Sequence, residues 1–107
     1  MDDSSFETLA DRTLQHLETR LADQLDDADV ELRGGILTIE LDDGRQYVVN
    51  KHVPNRQIWL SSPVSGAAHF VHDPATGAWR STRDTAVLYE RLAAELSAAT
   101  GTTVTLD

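Results

Sequence analysis

Residues 36–49 run Ile36-Leu37-Thr38-Ile39-Glu40-Leu41-Asp42-Asp43-Gly44-Arg45-Gln46-Tyr47-Val48-Val49, two apolar, β-branched runs joined by Asp-Asp-Gly. An Asp-Gly pair readily takes the positive φ values that a tight turn needs, so this stretch predicts a β-hairpin and therefore an antiparallel sheet. Upstream, Val30 to Leu41 forms an extended segment that contains Gly34-Gly35 before the β-branched run. Downstream, the return strand covers Arg45 to Val53. Pro54-Asn55 turns the chain into a strand through Gln57-Ile58-Trp59-Leu60, and Ser61 to Gly66 is a Ser/Pro/Gly loop. Ala68 to His72 is a further strand, residues 73–77 a turn, and Ala78 to Arg80 a short last strand.

Helical patterns flank the strands. Ser4 followed by Glu7 fits a capping box, and Phe6, Ala10, Leu14, Leu17 and Leu21 fall within one face roughly 80° wide, ending near Gln24. Asp84 or Thr82 is placed to cap a second helix whose stripe is Leu88, Leu92 and Leu96, with Gly101 as its stop. Helix, antiparallel strands on short turns, helix: the order predicts a single α+β domain over residues 1–107. It is a two-layer α/β sandwich with the N- and C-terminal helices packed on one face of an antiparallel β-sheet. The other sheet face is left to solvent or a partner, and Thr102 to Asp107 could cover the open end of the helical layer.

Composition removes several functions. The 107 residues include no cysteine, which excludes a disulfide, a thiolate nucleophile and cysteine ligands to a cluster. The net charge of −9 opposes nucleic acid binding. No apolar run approaches the roughly 20 residues needed to cross a bilayer, and the acidic start is unlike a secretion signal, so a cytoplasmic protein is expected. The charge is also lopsided. Residues 1–31 hold ten acids and two bases, whereas the other 76 hold eight acids and seven bases.

On a helix, Glu7, Asp11 and Glu18 project within roughly 40° of one another and form a ridge beside the apolar stripe. Asp23, Asp26 and Asp27 crowd the helix C-terminus, where the macrodipole disfavours anions. Oxygen donors on an exposed surface suit hard cations, weakly held; Glu7 with Asp11, or Asp23 with Asp27, could share one ion. Spacing does not choose among iron, calcium, magnesium and manganese, and acids of this kind also serve simply to solvate a small protein. His16 lies on the same helix side as Asp23, an auxiliary ligand by position. His69 and His72, three apart on a strand, point to opposite faces, and His52 falls at a turn. The serines 61, 62 and 65 lack a nucleophile elbow and carry no catalytic expectation. Trp59 and Trp79 could each be core aromatics; Trp59, beside Gln57 and Asn55 and with Asn50 upstream, is the more suggestive of an amphipathic contact patch, although spacing alone does not decide.

The block Tyr47-Val48-Val49-Asn50-Lys51-His52-Val53-Pro54-Asn55-Arg56-Gln57-Ile58-Trp59-Leu60-Ser61-Ser62-Pro63-Val64-Ser65-Gly66 resembles the signature of the frataxin family. Leu9-Ala10-Asp11, Gly34 to Ile39, Gly77-Ala78-Trp79 and Leu92 to Leu96 support it. The resemblance implies the same helix–sheet–helix sandwich and a monomer that can form oligomers under iron. It implies weak binding of ferrous and ferric iron by acids of the first helix and first strand edge, mapped onto Asp11, Glu18, Asp23, Asp26, Asp27, Asp29 and Glu31. It further implies contact with the cysteine desulfurase and scaffold protein of iron–sulfur cluster assembly, through a surface mapped onto Asn50, Asn55, Gln57 and Trp59. The role implied is iron donor or desulfurase regulator. A ferroxidase is the enzymatic alternative, without a convergent Glu/His centre in the sequence. Compared with the family pattern, Thr19 and Ala22 replace acids, and Ala67, Ala68 and His69 replace a proline and basic residues.

Overall fold

The computed structural model describes residues Met1–Asp107. Helix α1 spans Asp3–Gln24, six strands follow as β1 (Asp29–Arg33), β2 (Ile36–Glu40), β3 (Gln46–His52), β4 (Gln57–Ser62), β5 (Gly66–His72) and β6 (Trp79–Ser81), and α2 spans Leu88–Thr100. The sheet is one antiparallel meander in the order β1-β2-β3-β4-β5-β6. Both helices cover the same face: Phe6, Ala10, Leu14, Leu17 and Leu21 of α1 and Leu88, Leu92 and Leu96 of α2 are fully buried. They pack on Leu37, Ile39, Tyr47, Val49, Ile58, Leu60 and Phe70. This is the expected sandwich, with the stripe read from the α1 sequence facing inward in full.

Three local expectations are corrected. Asp2, not Ser4, caps α1: its carboxylate accepts from Ser5 N at 2.7 Å. Aspartate is as good an N-cap as serine and sits two residues earlier, which gives the helix more hydrogen bonds. Val30 to Leu41 is two strands, because Gly34 (φ 60°) and Gly35 (φ 78°) close a two-residue hairpin turn with both central residues in the left-handed region. Neither Asp84 nor Thr82 caps α2. Asp84 accepts from Ala86 N in the preceding turn, and the cap position is Val87, with no side-chain bond.

The C-terminal segment closes the helical layer. Val104 and Leu106 are buried. His16 Nε2 is 2.6 Å from Leu106 O, and because a carbonyl only accepts, that nitrogen carries the proton. Gln24 Nε2 and Arg20 donate to Thr105 O at 2.7 and 3.0 Å. His16, stacked on Tyr89 with centroids 5.4 Å apart, is therefore a fastening for this segment rather than a free auxiliary ligand.

Candidate functional site

The acids occupy three settings. In the first, Glu7 and Asp11 lie one turn apart on α1 and converge on a single cation, the ammonium of Lys51 from β3. Lys51 Nζ is 3.0 Å from Asp11 Oδ1 and 3.5 Å from Glu7 Oε1. The hydrogen bond to Asp11, above all, raises the lysine's pKa over its ordinary value. In the second, Glu31 on β1 pairs with Arg33 at 2.6 Å, both well exposed. In the third, Glu18, Asp23, Asp26, Asp27 and Asp29 have no basic partner. They run from the middle of α1, through the turn after its C-terminus, to the first residue of β1.

The structure adds acids to the helix end. The Gly34-Gly35 turn fixes the register so that Asp29 faces Glu40 across the ladder, two like charges directly opposite, which is unfavourable for the sheet itself. The β2–β3 turn brings Asp42 and Asp43 beside Asp26 and Asp27, and the four line a cleft of about 320 Å³ with Leu25, Leu41 and Thr100. Asp43 is held below the usual carboxylate range, chiefly by the backbone N–H of Arg45. Reading Gly34-Gly35 as a hairpin turn would have found Glu40 from the sequence; the approach of Asp42 and Asp43 is a tertiary fact with no local signal. No three His, Asp or Glu side chains are gathered closely enough to form a metal cage.

The proposed partner residues lie on the open sheet face. Asn50, Trp59 and His69 are successive cross-strand partners, and His52 faces Gln57. Trp59 is sandwiched between two imidazoles, His52 at 3.7 Å and His69 at 4.3 Å between ring centroids, both close to parallel. Its indole Nε1 donates to Gln57 Oε1 at 2.8 Å. Asn50, Gln57 and Trp59 thus form one patch, while Asn55 is exposed in the β3–β4 turn at its end. Trp79 is the core tryptophan, 3% exposed and donating to Thr13 Oγ1 at 2.9 Å. The expectation that His52 sits free at a turn is corrected: it ends β3 and packs on Trp59. His69 and His72 do point to opposite faces, His69 to Trp59 and His72 to Trp79.

Comparison with known proteins converges on one family. A frataxin-like domain model matches residues 1–102. The chain is 36% identical over 107 residues to the iron–sulfur cluster assembly protein CyaY of Neisseria meningitidis, covering 100% of this chain and 97% of that protein. Frataxin from Psychromonas ingrahamii superposes with a TM-score of 0.90 at 26% identity, over 100% of this chain and 99% of that one. Trimeric frataxin from the yeast Saccharomyces cerevisiae, in a ferrous complex, superposes with a TM-score of 0.75 at 39% identity, over 87% and 86%. Sequence, fold and full-length coverage agree, and the chain belongs to the frataxin-like family.

Proposed function

We propose that this protein is a cytoplasmic iron-binding accessory factor of iron–sulfur cluster assembly. In this reading it takes ferrous or ferric iron weakly on the acids of α1 and β1. It then docks on the cysteine desulfurase–scaffold complex, delivering iron to it or regulating it. The observation that carries the reading is the run of carboxylates without basic partners, Glu18, Asp23, Asp26, Asp27 and Asp29, lying where α1 meets β1. Carboxylate oxygens suit hard cations. One or two of them, with water completing the shell, would hold an ion loosely enough to release it, as delivery requires. The similarity to a protein named for iron–sulfur cluster assembly and to a frataxin in a ferrous complex supports the assignment of iron over other hard cations.

A second reading has an observation of its own. The Asn50–Gln57–Trp59 patch, on the exposed sheet face, is rigidly preorganised by stacking and needs no metal to bind a partner. On this reading the protein is an iron-independent allosteric regulator of the desulfurase. A ferroxidase reading has no assembled His/Glu centre to work with.

A desulfurase assay with purified enzyme and scaffold separates donor from regulator. If the protein's effect disappears on chelation, it acts as an iron donor. An effect unchanged by chelation makes it a regulator, and no effect in either condition removes both.

A further inference from the structure

We propose that Lys51 is a tethered competitor for the Glu7–Asp11 pair, closing the N-terminal half of the acid ridge to metal and confining ions to the half from Glu18 to Asp29. The inference rests on the cation-binding reading of the ridge. Glu7 and Asp11, at i and i+4 on α1, are spaced to share an ion. They already share one. Lys51 Nζ sits 3.0 and 3.3 Å from the two carboxylate oxygens of Asp11 and 3.5 Å from Glu7 Oε1.

Lys51 differs from an ordinary surface lysine in how it is held. Its side chain is only 21% exposed, against 86% for Arg33 in the Glu31 pair. It arises from the third strand, on the sheet face that α1 covers, so the ammonium is aimed by the sheet. Its backbone N–H donates to Gly35 O at 3.2 Å. Its stem passes over Gly35 so closely that a Cβ there would lie 2.8 Å from Lys51 Cε. The left-handed φ of 78° is what requires glycine at position 35, and a side chain there would also push the lysine stem aside. A pair this much withdrawn from water is screened less than an exposed one. A divalent ion arriving at Glu7 and Asp11 must displace a charge that cannot diffuse away. Coulomb repulsion from an ammonium held this close to both carboxylates should cost an incoming cation on the order of tenfold in affinity.

The test is an amide-resolved NMR titration with Mn²⁺, whose paramagnetism broadens nearby signals, on the wild type, K51M and K51R. Wild type and K51R should broaden at residues 23–31 while the amides of residues 7–11 persist to roughly tenfold higher Mn²⁺, and K51M should broaden both regions together. Two results overturn the proposal: wild-type broadening at residues 7–11 equal to that at 23–31, or K51M broadening only at 23–31. Broadening at 7–11 in K51M alone supports it while removing the assignment of metal to residues 23–31, so the two ideas fail separately. Absence of broadening everywhere removes both. D11N, at an exposed position, is a second check should K51M not fold. Mn²⁺ affinity should be unchanged in D11N, and a several-fold loss would show that Asp11 had been a ligand all along.

Discussion

The imidazole of His52 lies flat on the indole of Trp59, with centroids 3.7 Å apart and planes 10° from parallel, and His69 covers the opposite face of the same indole. A large aromatic side chain that stands on a solvent-facing sheet surface and is held in one orientation meets the usual description of an interface anchor. Trp59→Ala should therefore weaken binding to the desulfurase–scaffold complex by roughly 30-fold, the equivalent of a hot spot worth about 2 kcal/mol. The thermal midpoint should move far less than for a core substitution. Calorimetric titration beside a thermal melt distinguishes the two effects, and an unchanged affinity would show that docking occurs elsewhere.

Glu95 on α2 anchors two separated pieces of the sheet. Its Oε1 accepts from Tyr47 OH at 3.0 Å and from Ser62 Oγ at 2.6 Å, while Ser62 Oγ in turn accepts from Val64 N and Ser65 N. The Ser-Pro-Gly segment is thereby a structural corner. Burial, reinforced by the Glu95 carboxylate, pushes the Tyr47 phenol up to about 12 from 10.0. A group whose pKa is raised by folding stabilises the fold fully below its unfolded value. That stabilisation is lost as pH climbs from about 10 through about 12, for a total of about 2–3 kcal/mol. Urea unfolding across this window should show the decline, and Tyr47→Phe should flatten it. Lys51, held by Asp11, and Tyr89, raised by its burial, also lose protons in alkali, so a slope that survives undiminished in Tyr47→Phe would assign the effect to those two groups and sink the Tyr47 account.

The strand pattern and the buried face of α1 were legible because they depend on periodicity alone, which nothing tertiary overrode. What escaped the sequence depended on choices between equivalent local signals or on distant parts meeting. Asp2 and Ser4 are both good caps, and only the finished helix shows which one is used. The polar neighbours of Trp59 hinted at a contact patch, but spacing did not decide between core and surface for either tryptophan; the β4 and β6 registers put Trp59 outside and Trp79 inside. Eight acids were candidate ligands, yet the sequence could not show that Lys51, 40 residues from Asp11, occupies two of them or that Arg33 neutralises a third.

Asp23, Asp26 and Asp27 oppose the negative end of α1 and have no partners to compensate. Neutralising them as Asp23→Asn, Asp26→Asn and Asp27→Asn should leave the thermal midpoint unchanged or raise it, because repulsion among acids and with the helix dipole is relieved. The same triple substitution should weaken ferrous iron binding several-fold. A clear drop in thermal midpoint would instead identify these aspartates as structural, and unchanged iron affinity would move the binding site elsewhere on the chain.

Leu106 is 2% exposed between α1 and α2, and its own carbonyl and that of Thr105 are held by His16, Arg20 and Gln24. The segment carries no regular secondary structure, so its attachment rests on these side chains and on burial of Val104 and Leu106. Leu106→Ala removes buried methyl groups from a site that cannot fully collapse, and it should cost about 2–4 kcal/mol in urea unfolding. Thr105→Ala, at an exposed position whose carbonyl bonds survive the substitution, should cost about 0.5 kcal/mol or less. Hydrogen exchange supplies an independent reading. If the segment closes the helical layer, Leu106→Ala should speed exchange in the last turns of α2 and the middle of α1 together, while the β3 and β4 amides stay protected until global unfolding. Acceleration limited to residues 102–107 would mean the segment is a passive appendage and the two helices hold without it.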